Sequence, residues 1–187
     1  MPNGPLTQHL QKLQPGDEII VGGKPTGTLV QDSLTPGKYL TMLATGTGLA
    51  PFVSVIKDPE AYERYEKLVL VHGCREVAEL AYGEKVVADL LEDEFFGELA
   101  REKLLYYPTV TREPFRNQGR ITDLLEQGKL EADLGLPAFN KEDYRVMLCG
   151  SPEMLAQLQA MMEARGFAEG SHSVPGQYVI EKAFVEK

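Results

Sequence analysis

The chain has 187 residues, 43% hydrophobic and 25% charged, which suffices for one complete domain and part of a second. Its formal net charge of −9 at pH 7 argues against general binding to nucleic acids or anionic membranes, because both require a positive field. No apolar run approaches the roughly 20 residues that span a bilayer, and the amino terminus, Met-Pro-Asn-Gly-Pro, has no basic region followed by an apolar one. We therefore expect a soluble, cytoplasmic protein.

The cysteines and histidines offer no obvious reactive centre. Cys74 and Cys149 each end an apolar run, a usage that suits a reducing compartment and predicts no disulfide. His9, His72 and His172 fall in unrelated segments without the spacing of metal ligands. We expect neither a metal site nor covalent catalysis.

Residues 1–35 are rich in Gly and Pro and contain too few apolar residues to form a core alone. A short helix is predicted around residues 6–13 because three leucines recur there at helical spacing. Short strands are predicted at residues 18–21 and 28–30.

From Tyr39 onward, apolar segments alternate with helical patterns. Strands that are apolar on both faces and separated by helices are typical of a parallel sheet covered on both sides. The predicted strands are 39–45, 67–74, 103–110, 144–150 and 177–185. The predicted helices are 50–57, 82–95, 121–127 and 152–165. The sequence therefore predicts an α/β fold with a five-stranded parallel sheet flanked by helices.

The first of these strands ends in the loop "TGTGLAP", residues 45–51. Ligands of such sheets bind outside the carboxyl ends of the strands, so this loop is a candidate for nucleotide binding. Gly46 and Gly48 permit a sharp turn and a close approach, and Pro51 suits the first turn of a helix whose N–H groups face an anion. Because Pro51 replaces the third glycine of the usual Gly-x-Gly-x-x-Gly pattern, the loop alone fits a nucleotide site and an ordinary turn equally well.

The second strand ends at Arg75. Folds that bind NAD commonly place a carboxylate about 20 residues after the glycines, whereas an arginine there suits the 2′-phosphate of NADP. For a single arginine, a solvated surface position is the simpler explanation.

Three more arginines, Arg112, Arg116 and Arg120, follow the third strand. Arginine offers bidentate donors and remains charged at all working pH values, so a cluster of this kind suits a phosphate. The alternative is a set of surface ion pairs with Glu113 and Asp123. Together with the arginine after the second strand, the cluster favours a phosphate.

The fourth strand ends in Cys149 and Gly150, followed by Ser151 and Pro152. Gly150 permits close approach, while Ser151 and Pro152 are typical of an N-cap and a first helical position. Cys149 is more readily explained as a small buried hydrophobe than as a nucleophile.

Taken in order, these segments resemble the bacterial ferredoxin–NADP reductases, which are flavoproteins of the plant-type reductase superfamily. The resemblance is carried by "GTGLAP", "VHGCREVAELAY", "YYPTVTREPF", "GRITDLL", "VMLCGSPEML" and "YVIEKAFVEK". It extends to the first segment, where "NGPLTQHL" and "GDEIIVGGKPTGTLV" are similar to the end of the flavin-binding barrel of that family.

The resemblance implies an antiparallel barrel that holds FAD, of which residues 1–35 would be a remnant, and an NADP-binding domain at residues 36–187. The implied FAD contacts are Pro5, Leu6, Thr7, Thr45, Ala183, Phe184, Val185, Glu186 and Lys187. The implied NADP contacts are Gly46, Thr47, Gly48, Pro51, Arg75, Arg112, Arg120, Cys149 and Gly150. Cys149 and Ala183 would surround the reacting nicotinamide and flavin, and no acid–base residue is required.

The family's Arg-x-Tyr-Ser tetrapeptide, a main FAD-binding motif, does not occur in this sequence, so we expect the chain to lack most of the barrel. The implied function is a monomeric FAD-dependent oxidoreductase that transfers electrons between ferredoxin or flavodoxin and NADP(H). The alternative is an NADP-binding module without flavin or turnover. The sequence leaves open which of the two electron carriers is the partner.

Overall fold

The computed structural model describes residues 4–23 and 27–181. The predicted roles of Ala183, Phe184, Val185, Glu186 and Lys187 lie outside the described residues.

The centre of the structure is a five-stranded, fully parallel sheet, which confirms the predicted fold class. Its strands are β1 (Tyr39–Thr45), β2 (Lys67–Cys74), β3 (Leu104–Val110), β4 (Tyr144–Cys149) and β5 (Tyr178–Glu181). They are arranged in the order β3-β2-β1-β4-β5. Strands β2 and β3 therefore lie on one side of β1, and β4 and β5 lie on the other.

The helices within the described residues lie almost entirely between the strands. They are α1 (Thr7–Leu10), α2 (Leu49–Val55), α3 (Pro59–Arg64), α4 (Ala81–Leu91), α5 (Gly97–Lys103), α6 (Ile121–Glu126), α7 (Lys129–Leu134) and α8 (Pro152–Ala164). The predicted helix at 82–95 is shorter at its end and is preceded by a 3-10 turn at Val77–Leu80. Within the described part of the chain, no helix has the length and apolar character needed to cross a membrane.

Both faces of the sheet are covered because alternate side chains of a strand point to opposite sides. In β1, Leu40 and Met42 enter an apolar core shared with α2, α3, α4 and α5, whereas Leu43 enters a second core shared with α6, α7 and α8. In β2, Leu68 enters the first core and Val69 enters the second. The continuous apolar runs of the sequence are explained by this two-sided burial.

Helices α3, α5 and α7 are absent from the sequence prediction. Within its bounds, none of them contains an apolar i, i+3, i+4 triplet such as Ile121, Leu124 and Leu125 of the equally short α6. Local signals define α3 and α7 instead. The Asp58 side chain caps α3 by accepting a hydrogen bond of 3.0 Å from the Glu60 amide, and Pro59 occupies the first turn. Gly128 and Gly135, with φ of +66° and +65°, bound α7.

The strands predicted at residues 18–21 and 28–30 do not form. A strand needs a partner for its N–H and C=O groups, and no described residue pairs with either segment in a ladder. Ile20 and Val21 are instead 103% and 76% exposed. Whether this segment derives from a barrel stays a prediction.

The segment before β1 is hydrogen-bonded to β5, an edge strand of the sheet, and to the residues just before β5. The Thr28 hydroxyl donates to the Ile180 carbonyl (2.6 Å), and the Thr35 amide donates to the Gly176 carbonyl (2.8 Å). Buried Arg145 of β4 donates from Nε to the Thr35 carbonyl (2.9 Å). These bonds fix the path of the chain into the sheet.

Candidate functional site

A cleft of about 660 Å³ opens at the carboxyl ends of β1 to β4. The connections from β1 to β2 and from β4 to β5 run in opposite directions along the sheet, and their helices α2 and α8 pack on opposite faces, so the cleft lies where the strand order reverses. The cleft is lined by Thr45, Gly46, Thr47, Gly73, Cys74, Arg75, Glu79, Thr111, Arg112, Gly119, Arg120, Ile121, Thr122, Ser151, Glu153, Met154 and Gln157.

The loop after β1 contributes Gly46 and Thr47 to the cleft. Gly46 has a φ of +52°, in the left-handed region that favours glycine. No atom lies within 4 Å of the position that a Cβ on Gly46 would occupy, so the requirement for glycine there is conformational. Residues 46–48 form a 3-10 turn that leads directly into α2.

Gly48 and Gly150 are buried, and neither belongs to the cleft lining. A Cβ on Gly48 would overlap the Cys149 carbonyl, and a Cβ on Gly150 would overlap the Thr45 hydroxyl oxygen. The Ser151 amide also donates to that hydroxyl oxygen (2.9 Å). In this structure the two glycines therefore allow the loops after β1 and β4 to touch each other.

Arg75, Arg112 and Arg120 all line the cleft, where the sequence analysis places a phosphate. The loops after β2 and β3 are joined because the Arg112 amide donates to the Arg75 carbonyl (3.0 Å). Among the described residues, neither Arg75 nor Arg112 forms an ion pair. Arg120 faces Glu153 at 3.8 Å, and both side chains are largely exposed. Two guanidinium groups are thus available to an anion, and the third is held by one weak, solvated contact.

Arg116 points away from this group. Its guanidinium pairs with Glu84 at 3.4 Å and lies 4.8 Å from the centre of the Phe115 ring. The ion pairs with Glu113 and Asp123 that the sequence suggests as an alternative do not form, since the cluster pairs instead with carboxylates from other helices.

Glu79 brings a carboxylate into the same cleft. It accepts hydrogen bonds from the backbone amides of Arg75 (2.7 Å) and Glu76 (3.1 Å). These two bonds hold the pKa of Glu79 below its usual value, so the carboxylate remains ionised. It fixes the backbone from which the Arg75 side chain extends, and its charge also interacts with those of Arg75 and Arg112.

Cys149 is buried at the end of β4 and belongs to the apolar core. Burial raises the pKa of its thiol to about 11, and burial likewise raises the pKa of Cys74 to about 11. Both are free thiols and not thiolates at neutral pH. The structure agrees with the interpretation of Cys149 as a small buried hydrophobe.

The remaining candidates lie outside the cleft lining. Pro51 is half-buried in the first turn of α2. Pro5, Leu6 and Thr7 are exposed near the start of the described chain, and α1 has only four residues.

Sequence reasoning missed the structural part played by His72. This residue is only 2% exposed, and it contacts the Gly46 carbonyl oxygen through Nε2 and the Tyr106 hydroxyl through Nδ1, each at 3.2 Å. Burial lowers its pKa. The one available signal is a polar ring in the otherwise apolar run "VLVHGC", next to a glycine at the end of a strand.

Comparison with known proteins yields relatives over the whole chain. The family model described as "Oxidoreductase NAD-binding domain" matches residues 42–160. The chain is 58% identical to the ferredoxin–NADP reductase of Pseudomonas aeruginosa, across all of this chain and 73% of that protein. It is 50% identical to the flavodoxin/ferredoxin–NADP reductase of Rhodobacter capsulatus, across 99% of this chain and 68% of that protein.

A similar solved structure is the crystal structure of a ferredoxin NADP+ reductase from Neisseria gonorrhoeae with bound FAD and NADP. It matches with a TM-score of 0.83 at 29% identity, covering 98% of this chain and 72% of that chain.

Proposed function

Because this chain belongs to the family of ferredoxin–NADP reductases, which are oxidoreductases, we propose that its cleft binds NADP(H) for electron exchange with ferredoxin or flavodoxin through FAD. One observation carries the proposal. Arg75, Arg112 and Arg120 meet at the carboxyl ends of the strands although they come from two separate loops of an acidic chain.

The residues of the cleft fit a phosphorylated dinucleotide. Guanidinium groups suit a 2′-phosphate because they donate two parallel, charge-assisted hydrogen bonds, and we assign the adenosine end to the three arginines. We assign the pyrophosphate and nicotinamide end to the loop from Gly46 to Pro51, with Cys149 and Gly150 flanking the nicotinamide. The thiol of Cys149 holds its proton, so the residues around the nicotinamide orient the ring and exclude water without exchanging protons.

Fewer of the proposed FAD contacts than of the proposed NADP contacts lie at the cleft within the described residues. Of the proposed FAD contacts, Thr45 lies at the cleft, while Pro5, Leu6 and Thr7 are exposed and apart from its lining. When bound, FAD would supply the exchange between one-electron carriers and a hydride. The Thr45 hydroxyl accepts the Ser151 amide, so its part is to hold the rim between β1 and β4.

A second candidate function is an NADP-binding module without flavin. It is favoured by the exposure of the apolar side chains at 19–21, since Ile19 is 58% exposed and Ile20 is fully exposed. The division into residues 1–35 and 36–187, the monomeric state, the cytoplasmic location and the choice of electron carrier remain proposals from the sequence.

Replacement of the cleft arginines tests the proposal. Arg112→Ala or Arg75→Ala should weaken NADP+ binding by about 1.5 to 3 kcal/mol, because a hydrogen bond to a charged group is lost, and should leave NAD+ binding nearly unchanged. Isothermal titration with both nucleotides measures this difference.

Arg116→Ala is the matched control, because Arg116 belongs to the same loop but faces Glu84. This substitution should change neither the affinity for NADP+ nor the affinity for NAD+. Equal losses for NADP+ and NAD+ in the Arg112 variant would contradict the assignment of a 2′-phosphate site.

A further inference from the structure

The ring of His72 lies directly behind the loop that follows β1. Its Nε2 is 3.2 Å from the Gly46 carbonyl oxygen and 3.3 Å from the Cys74 sulfur, and its Nδ1 is 3.2 Å from the Tyr106 hydroxyl. His72 of β2 therefore connects Tyr106 of β3 to the loop after β1.

The partners of the ring determine its tautomer. A backbone carbonyl only accepts hydrogen bonds, so the contact with Gly46 is favourable when Nε2 carries the proton, and the Cys74 sulfur beside Nε2 is then a weak acceptor. In a neutral ring Nδ1 is then an acceptor, and the Tyr106 hydroxyl donates to it. Burial favours the neutral ring, while Glu79 and Glu84 act weakly in the opposite direction.

There is almost no free space around the hydrogen bond between His72 and Tyr106. Helix α4 places Gly83 against it, and a Cβ on Gly83 would lie 2.8 Å from both His72 Nδ1 and the Tyr106 hydroxyl. The same Cβ would lie 2.9 Å from a methyl group of Leu49, the first residue of α2. Packing therefore holds the ring in the orientation that its hydrogen bonds require.

The bond from His72 fixes one peptide group of the loop. The Gly46 carbonyl also accepts the Leu49 amide, so its direction is determined from two sides. In a trans peptide the following N–H points the opposite way, so the Thr47 amide is directed away from the His72 ring. Gly46 and Thr47 are the residues of this loop that line the cleft.

We propose that His72 is a positioning residue: as the neutral Nε2–H tautomer required by the Gly46 carbonyl and held in place by Tyr106, it keeps the Gly46–Thr47 peptide in the orientation that receives the nicotinamide half of NADP(H). This inference rests on the proposed function. It concerns a residue behind the cleft and not one that contacts the nucleotide.

Titration of the full chain with NADP+ and with 2′,5′-ADP, which lacks the nicotinamide half, tests the proposal. Tyr106→Phe removes the hydroxyl that donates to Nδ1 and holds the ring in its orientation. It should weaken NADP+ binding about 2- to 10-fold, as expected for one hydrogen bond, and leave 2′,5′-ADP binding unchanged. His72→Leu should do the same, and His72→Gln, whose amide can still donate to Gly46, should recover most of the affinity.

Tyr107→Phe is the matched control. It deletes the neighbouring hydroxyl, which donates to Asp133 (2.6 Å) on the opposite face of the sheet, and should alter neither affinity. Should the His72 variants fail to fold, Tyr106→Phe and its control decide the matter.

Nitrogen-15 NMR of the imidazole gives an independent readout in the absence of nucleotide. The wild-type chain should show a neutral Nε2–H ring at pH 7, whereas a neutral Nδ1–H ring or an imidazolium would overturn the proposal. Unchanged NADP+ binding in Tyr106→Phe, with the wild type binding both ligands, would also overturn it and leave the proposed function intact. Failure of the wild type to bind either ligand would overturn both.

Discussion

Glu131 is a buried acid whose carboxylate makes no hydrogen bond to another described side chain. It lies in α7 at 4% exposure, and neither carboxylate oxygen has a hydrogen-bond partner within the described chain. Removal from water raises the pKa of Glu131 above its ordinary value of 4.5, and this effect outweighs the opposing effects of its own backbone amide and of Arg165. The folded state therefore holds the proton of this group more tightly than the unfolded state does.

We expect this residue to make the protein less stable as the pH rises. Below pH 4.5 the carboxyl is protonated in both states and costs nothing. As the pH rises through the raised pKa, the folded state must accept a buried charge and the protein loses stability. The loss is about 1.4 kcal/mol for each tenfold by which the folded state binds the proton more tightly than the unfolded state. Glu131→Gln should therefore unfold at the same denaturant concentration as the wild type near pH 4 and at a higher one at pH 7.

The exposed residue Glu126 supplies the control for this measurement. The stability of Glu126→Gln should follow that of the wild type at both pH values. If the curves for Glu131→Gln and the wild type ran parallel from pH 4 to pH 7, the carboxyl of Glu131 would not be the source of the pH dependence.

At the scale of an element, helix α8 is coupled to the cleft through its first residues. Ser151 has the extended backbone of an N-cap, its hydroxyl accepts the Met154 amide (3.3 Å), and its own amide donates to Thr45. Pro152 follows in the first turn. The beginning of this helix is thus defined by local sequence and attached to β1 by tertiary contact.

Ser151→Ala should lower the free energy of unfolding by about 1 kcal/mol, the usual cost of losing a side-chain N-cap. Ser151→Thr should retain most of the stability, because threonine also caps. Chemical denaturation measures both. Ser54→Ala, an exposed change inside α2, is the control and should be neutral or slightly stabilising. An unchanged midpoint for Ser151→Ala would show that the hydroxyl does not stabilise the helix.

At the scale of the whole molecule, the apolar surface is distributed unevenly. The sheet buries its apolar residues in two cores, whereas Leu6, Ile19 and Ile20 near the start of the described chain are 66%, 58% and 103% exposed. Most of the proposed NADP contacts meet at one cleft, but only Thr45 of the proposed FAD contacts does so within the described residues.

The two candidate functions predict different flavin contents for the purified chain: the reductase should retain one FAD per chain, whereas the NADP-binding module should bind NADP+ selectively and retain less than one, even after incubation with excess FAD. The visible absorbance of bound flavin after gel filtration measures the ratio. The Neisseria gonorrhoeae reductase, whose crystal structure contains FAD and NADP, is the positive control. Stoichiometric flavin would show that this chain alone forms a flavin site and would contradict the second candidate function.

The sequence by itself determined the fold class and predicted that a site lies at the carboxyl ends of the strands. Apolar runs separated by helical patterns require a parallel sheet buried on both faces, and four of its strands end in loops that carry glycine, arginine or a helix cap. These features are local, since each depends on a few consecutive residues. The pattern did not predict the three short helices, because they lack a recurring apolar spacing. It also did not predict the lack of strands before β1, because strand formation depends on partners elsewhere in the chain.

Only the tertiary structure decided how the loops combine. The order β3-β2-β1-β4-β5 sets the backbone of Arg75 beside that of Arg112 and turns Arg116 towards Glu84. It also sets His72 behind Gly46 and brings the loops of β1 and β4 into contact. Such relations depend on which strands are neighbours and on the direction of each side chain, and neither is encoded by the spacing of residues within one segment.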